Sequence, residues 1–170
     1  LSYLYWPSAF NSALSIVNFG FWLLFLVGFM AMIVTDIRWM LLPNKLTYSF
    51  GLLAASQVLM VAIVLKDLGA LLSAFGGVLA VGGLFYVLFQ FSGGKWIGGG
   101  DVKLGLVLGL LAGSFIKGLM LVFLASLLGC FIAIPLIVSN KVNISKRIPF
   151  GPFLIASCIL VVLFGQRLVD

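Results

Sequence analysis

Charge is scarce in this sequence. Only 8% of its 170 residues are charged: ten are Lys or Arg and four are Asp, with no Glu and no His. A soluble domain carries about 25% charged residues, so this chain has too little polar surface to cover a water-facing globule. Because 64% of the residues are hydrophobic, intrinsic disorder is excluded as well. What remains is a polytopic membrane protein.

Metal ligands and cross-linking residues are equally few. The two cysteines, Cys130 and Cys158, lie in separate apolar runs, and there is no CxxC pair. This excludes a disulfide-stapled module and leaves zinc and haem almost without ligands, so we expect no metal and predict two small core cysteines. The basic residues form no cluster typical of nucleic-acid binding, so we expect no nucleic-acid partner.

Long apolar runs dominate what is present. A helix needs about 20 apolar residues to cross the roughly 30 Å hydrocarbon core of a bilayer, and the runs do not alternate as the strands of a barrel would. We therefore predict an all-α fold with about six transmembrane helices, the fourth of them short. The predicted spans cover residues 13–35, 46–65, 68–91, 102–115, 118–138 and 152–166.

We treat residues 1–170 as a single transmembrane domain, in which residues 1–12 form an aromatic, interfacial lead-in. Residue 1 is Leu, no charge precedes Asp36, and the basic region of a secretory signal is not visible. We expect the sequence to begin part-way into a longer reading frame.

The basic residues predict an orientation. With six spans, alternate connections fall on alternate sides, and the side richer in Lys and Arg faces the cytoplasm. One side carries seven basic residues and the other three, which places the first side in the cytoplasm and both termini outside. The seven are Arg38, Lys45, Lys95, Lys103, Lys141, Lys146 and Arg147, and the three are Lys66, Lys117 and Arg167.

Two aspartates, Asp36 and Asp101, fall on the predicted cytoplasmic side at the ends of apolar runs, whereas Asp67 and Asp170 fall on the other side. A carboxylate at membrane depth costs about 2.5–3.5 kcal/mol and usually faces a protein interior or a water-filled cavity. Both residues could also simply mark helix ends. We expect Asp67 and Asp170 to be solvated.

Glycines surround Asp101. The residue closes a run of three glycines, which permit close backbone approach, and Gly105, Gly109 and Gly113 follow at four-residue intervals. Residues four apart share a helix face, and small residues on it let a neighbouring helix pack closely. We therefore expect Asp101 to point into a helix–helix seam.

A turn follows Asp36. Pro43 and Asn44 are typical turn residues, and Thr47 is expected to cap the next helix. A simple turn explains these three residues but leaves Asp36 unexplained.

Two carboxylates that meet can perform aspartic-protease chemistry. Placed close together they cannot both ionise cheaply, so they share one proton. The ionised member takes a proton from an attacking water, and the protonated member hydrogen-bonds the peptide carbonyl. Because Asp36 lies at a predicted helix C-terminus and Asp101 at an N-terminus, the helix dipoles favour ionisation of Asp101.

Three motifs occur in one order along the chain. They are the segment from Asp36 to Thr47, Gly98-x-Gly100-Asp101, and Phe150-Gly151-Pro152. The second resembles the GxGD motif of intramembrane aspartyl proteases. All three together resemble the bacterial type IV prepilin peptidase family, with its first-aspartate motif and its C-terminal FGP segment.

The resemblance implies an aspartic endopeptidase that cleaves the leader of type IV prepilins and of type II secretion pseudopilins, at the cytoplasmic face of the bacterial inner membrane. Asp36 and Asp101 match the catalytic pair, with Gly98 and Gly100 as backbone support. Prepilins and membrane lipids are the implied partners, and no cofactor is implied for cleavage. Other residues could contribute or be structural: Arg38 and Lys103 as electrostatic neighbours or topology anchors, and Phe150, Gly151 and Pro152 as site lining or a turn.

The sequence resembles only the peptidase core of this family. Many members also methylate the new N-terminus with S-adenosylmethionine and carry paired CxxC motifs, which nothing here matches. S-adenosylmethionine is expected only if a methylating region lies outside this sequence. The alternatives are another GxGD protease, such as an archaellin-type or signal-peptide-peptidase-like enzyme, a small cation-coupled transporter that uses the paired acids, and a non-catalytic assembly protein.

Overall fold

The structure is a computed structural model that describes residues 13–138 and 149–169. Every regular element in these ranges is helical, which confirms the all-α class. The elements are α1 (Ala13–Trp39), α2 (Asn44–Leu65), α3 (Leu68–Val78), a π-helical turn (Leu79–Gly83), α4 (Leu84–Ser92), α5 (Gly99–Ala112), α6 (Phe115–Val138) and α7 (Gly151–Val169).

Four helical segments in the described ranges are long and apolar enough to cross a membrane: α1, α2, the continuous rod Leu68–Ser92, and α6. Helix α5 has 14 residues, or about 21 Å at 1.5 Å per residue, which agrees with the short fourth span. Helix α7 has 19 residues and contains the sixth predicted span, 152–166. The protein is thus an all-helical polytopic membrane protein.

Helix α5 lies at the centre of the bundle and packs against α2, α3, the π-helical turn, α4, α6 and α7. The predicted glycine face is confirmed at two positions. A Cβ atom at Gly105 would lie 2.7 Å from Phe85, and one at Gly109 would lie 2.6 Å from the carbonyl oxygen of Gly77. Gly113 was expected in the same seam, but it has φ +69 and ends the helix, with no atom near a Cβ position.

The start of α2 differs from the prediction. Pro43, in an extended conformation, is the N-cap residue. Thr47 lies one turn inside the helix, where its hydroxyl donates to the carbonyl of Pro43 at 3.2 Å. The prediction that Thr47 caps α2 was wrong because the fixed φ of proline already starts the helix at Asn44.

The remaining predictions about single residues have mixed outcomes. Cys158 is buried, as expected, but Cys130 is exposed, so its assignment to the core was wrong. Asp67 is exposed at the N-terminus of α3 and accepts the N–H of Gly69 at 2.8 Å. The lead-in 1–12, the loop that carries Lys141, Lys146 and Arg147, and Asp170 lie outside the described residues.

Candidate active site

Both candidate aspartates lie at the same end of the helix bundle. Asp36 lies in the last turn of α1, Asp101 lies in the first turn of α5, and α7 begins at Gly151. Helices α3 and α4 belong to one continuous rod. Counted with that rod as a single element, successive elements run in opposite directions, so α1 ends where α5 and α7 begin. The topology therefore brings together three segments that are widely separated in the sequence.

The carboxyl group of Asp36 is buried, with the residue only 6% exposed. A buried carboxylate needs a hydrogen-bond partner, and Asp36 has one in the backbone N–H of Gly151, which donates to Oδ2 at 3.0 Å. The two residues are 115 positions apart. This bond ties the end of α1 to the start of α7.

Asp101 is half-buried and is placed by the start of α5. Gly98 is extended (φ −74, ψ 148) and precedes the helix. Its carbonyl accepts the N–H of Asp101 at 3.0 Å and that of Val102 at 3.3 Å. Asp101 therefore lies in the first turn, where the positive end of the helix favours an anion.

The two carboxyl groups interact electrostatically. Asp101 precedes the apolar run of α5 and lies outside the four spanning helices. Burial, and secondly the negative charge of Asp36, raise the pKa of Asp101 to about 6, with the Gly98 backbone acting in the opposite direction. Helices α1 and α5 do not pack on each other within the described ranges, whereas α2 and α7 each pack on both. The carboxyls thus belong to a site that α2 and α7 border.

Helix α7 adds a hydrogen-bond donor to one of the two carboxyl groups. The dipoles of α1 and α5 alone favour Asp101 as the ionised member. The N–H of Gly151, however, stabilises the ionised form of Asp36, and the pKa of Asp101 is raised. Burial opposes ionisation of Asp36 as well, so the expectation that Asp101 is the ionised member stays a prediction.

The glycines of the GxGD motif have different surroundings. A Cβ atom on Gly100 would lie 3.3 Å from both Cβ and Cδ1 of Leu42, a tight contact. Gly100 therefore lets the connection after α1 pack closely on the start of α5. A Cβ atom on Gly98 would be in ordinary contact, 3.4 Å from Oδ2 of Asp101.

Aromatic rings link the elements around this site. The ring of Phe150 packs edge-on against Phe85, with centroids 6.1 Å apart and an interplanar angle of 80°. The ring of Phe85 in turn packs against Gly105, which follows Asp101 by one helical turn. Pro152 is half-buried in the first turn of α7, where the missing N–H of proline is tolerated. Phe85 was not predicted, because nothing distinguishes it from other apolar residues in its run.

The two basic residues singled out in the sequence, Lys103 and Arg38, lie in different surroundings. The ammonium of Lys103 donates to Oδ1 of Asn44 at 2.8 Å and lies 5.3 Å from the ring centroid of Tyr48. It therefore ties α5 to the start of α2, a contact that no sequence pattern indicated. Arg38 is exposed in the last turn of α1.

An apolar cavity of about 300 Å³ adjoins the start of α7. It lies between α6 and α7 and is lined by Ser126, Gly129, Cys130, Ala133, Phe150 and Phe153. Within residues 13–138 and 149–169, no three His, Cys, Asp or Glu side chains are grouped so that they could hold a metal ion. The chemistry that the described site offers is that of two carboxyl groups.

Comparison with known proteins gives matches over most of the chain. The type IV leader peptidase family matches residues 10–134. The chain is 30% identical over 141 residues to the prepilin leader peptidase/N-methyltransferase of Bacillus subtilis (strain 168), which covers 81% of this chain and 52% of that protein.

Two further relatives carry the same name. The Aeromonas hydrophila protein is 33% identical over 141 residues (81% of this chain, 47% of that protein), and the Dichelobacter nodosus protein is 28% identical over 155 residues (89% and 51%). The chain thus spans about half the length of the curated relatives it matches. No solved structure matches it.

Proposed function

Because this chain belongs to the type IV leader peptidase family, we propose that it is an aspartic endopeptidase that removes the leader peptide of type IV prepilins and pseudopilins. The observation that carries the proposal is that two acids lie at the same end of an apolar bundle, in a site that α2 and α7 border. Asp36 accepts the N–H of Gly151, and burial, and secondly the charge of Asp36, raise the pKa of Asp101 to about 6. Both aspartates fall within the matched residues 10–134.

The two carboxyl groups divide the proposed reaction between an ionised and a protonated member. The ionised member takes one proton from a water molecule, whose oxygen attacks the peptide carbonyl carbon. The protonated member donates a hydrogen bond to the carbonyl oxygen and then passes its proton to the leaving amine as the C–N bond breaks. The pair finishes with one proton, as it began, and it titrates jointly.

We place the reaction on the cytoplasmic face of a bacterial inner membrane. The described basic residues Arg38, Lys45, Lys95 and Lys103 lie at the end of the bundle that holds the aspartates, and basic connections favour the cytoplasm. The apolar helix of the prepilin would lie against the spans of the enzyme, with its leader at the aspartates.

The proposal covers peptide cleavage alone. Its nucleophile is water, and Asp36 and Asp101 together supply its acid and its base, so the reaction as written needs no metal or organic cofactor. The relatives' names add an N-methyltransferase activity. We assign no residue of this chain to methyl transfer, and S-adenosylmethionine enters only with a methylating region outside this sequence.

The test is cleavage of a prepilin by the detergent-solubilised chain, followed by the appearance of the shortened product. Asp36→Asn and Asp101→Asn are each expected to lower kcat by about 10²–10⁴-fold. The double variant should be no slower than the slower single variant, because groups that act as a unit are non-additive. Asp67→Asn, an exposed acid at the other end of the bundle, is the matched control and should retain the parent rate.

Three results would contradict the proposal. Undiminished cleavage by either asparagine variant would exclude an aspartic pair. Absence of any shortened product with the parent chain would favour the transporter or the assembly protein, and cleavage of archaellin-type leaders alone would favour that class of GxGD protease.

A further inference from the structure

The first turn of α7 directs one backbone donor at Asp36. Pro152 has no N–H, and the N–H groups of Phe153 and Leu154 both donate to the carbonyl of Phe150, at 3.1 and 3.2 Å. First-turn N–H groups have no carbonyl partner one full turn earlier within the helix. The N–H of Gly151 is thereby left for Oδ2 of Asp36, which it reaches at 3.0 Å.

Space also requires glycine at this position. A Cβ atom on Gly151 would lie 2.5 Å from Oδ2 and 3.2 Å from Cγ of Asp36. The backbone of Gly151 is not among the positive-φ positions, so conformation does not demand glycine here. Because the crowded atoms are those of the carboxyl group itself, any side chain at residue 151 must displace that group.

We propose that Gly151 is the positioning residue for Asp36: its N–H holds the carboxylate, and its lack of a side chain leaves the room that the carboxylate occupies. The catalytic consequence rests on the proposed function, whereas the contact between the two residues does not. The FGP segment thus acts on the site through Asp36, beyond lining it or starting a helix.

The first test is Gly151→Ala with a prepilin substrate. We expect kcat to fall about 100-fold, the cost of a small misplacement of a catalytic group, with KM near the parent value because the substrate-binding surface is unchanged. The melting temperature should also fall, because the displaced carboxyl of Asp36 loses its buried hydrogen bond, so kcat is measured at a temperature at which the variant is fully folded. Gly20→Ala is the matched control, since no atom lies within 4 Å of its Cβ position, and its kcat should equal that of the parent.

A second variant separates the hydrogen bond from the space. Replacing the residue-151 amide by an ester, with glycolic acid in place of glycine, removes the N–H and adds no side-chain atom. We expect kcat to fall about 10–100-fold, as for loss of a hydrogen bond to a charged group. Parent-level kcat in both the alanine and the ester variant would overturn the inference.

A spectroscopic measurement keeps the inference separate from the proposed function. The infrared carboxylate band of Asp36, assigned by its loss in Asp36→Asn, should shift in both Gly151 variants and stay fixed in Gly20→Ala. A band that does not move in either Gly151 variant would overturn the inference. If the parent chain cleaves no prepilin, the proposed function fails, and a shifted band still supports the positioning contact.

Discussion

At Asp101, burial and a neighbouring negative charge both oppose ionisation. The pKa of this carboxyl rises from 3.8 to about 6 in the folded chain, so the folded state binds a proton more tightly than the unfolded state does. By linkage, the stability that this proton contributes is fully present below pH 3.8 and is lost as the pH rises through about 6.

The stability of the protein should therefore depend on pH through this residue. We expect the melting temperature in detergent to fall as the pH rises from 3.8 to above 6, and Asp101→Asn to reduce that fall because asparagine does not titrate. Asp67→Asn, which removes an exposed acid, should keep the parent slope. An equal fall in the parent and in Asp101→Asn would show that Asp101 is not the group responsible.

The two aspartates could be predicted because carboxylates are rare in so apolar a sequence and because each stands at the end of an apolar run. The role of Gly151 could not be predicted in the same way. Its contribution is a backbone N–H that donates to Asp36, a residue 115 positions earlier in the sequence. No pattern of side chains marks such a contact. The Gly-Pro pair at the start of a helix was the one available signal.

Among the helices, α3 and α5 make the closest approach through glycine. A Cβ atom on Gly109 would lie 2.6 Å from the carbonyl oxygen of Gly77 and 2.8 Å from Cα of Val78. Both are backbone atoms, so no change of side-chain rotamer relieves the clash. The two helices must separate to admit any side chain at residue 109.

Gly109→Ala should therefore destabilise the fold by about 1–3 kcal/mol, the usual cost of overpacking. Gly20→Ala, which meets no atom within 4 Å, should be neutral or stabilising by up to about 1 kcal/mol. Unfolding in a denaturing detergent titration measures both. Equal stability of the two alanine variants would mean that the seam between α3 and α5 is looser than described.

The helix boundaries show which elements local sequence can specify. The predicted ends of most spans lie within a few residues of the observed helices, because apolar runs and turn residues are local signals. The π-helical turn Leu79–Gly83 was not anticipated. Its residue Gly82 faces Leu106 of α5, so the turn fits a neighbour that the local sequence cannot reveal.

For the molecule as a whole, the alternating helices place Lys95 at the end that holds the aspartates and Lys66 at the opposite end. Both lysines are exposed, and Cys158 is buried, so Cys130→Ser provides a background without an exposed described thiol. These positions test the orientation that the basic residues predict.

In that background, a membrane-impermeant thiol reagent applied to intact spheroplasts should label Lys66→Cys and leave Lys95→Cys unlabelled. Permeabilisation should then expose Lys95→Cys, which serves as its own control for reactivity. The opposite labelling pattern would place the aspartates on the outer face and contradict the proposed cytoplasmic cleavage.

The bond between Asp36 and Gly151 also bears on the order of biosynthesis. A ribosome makes both acids long before it makes residue 151, so a nascent chain carries the carboxyls without the donor that holds Asp36. Such a chain has Asp36 unanchored until α7 is inserted. On the proposed function, the site is therefore complete only at a late stage of translation, once α7 has joined the bundle.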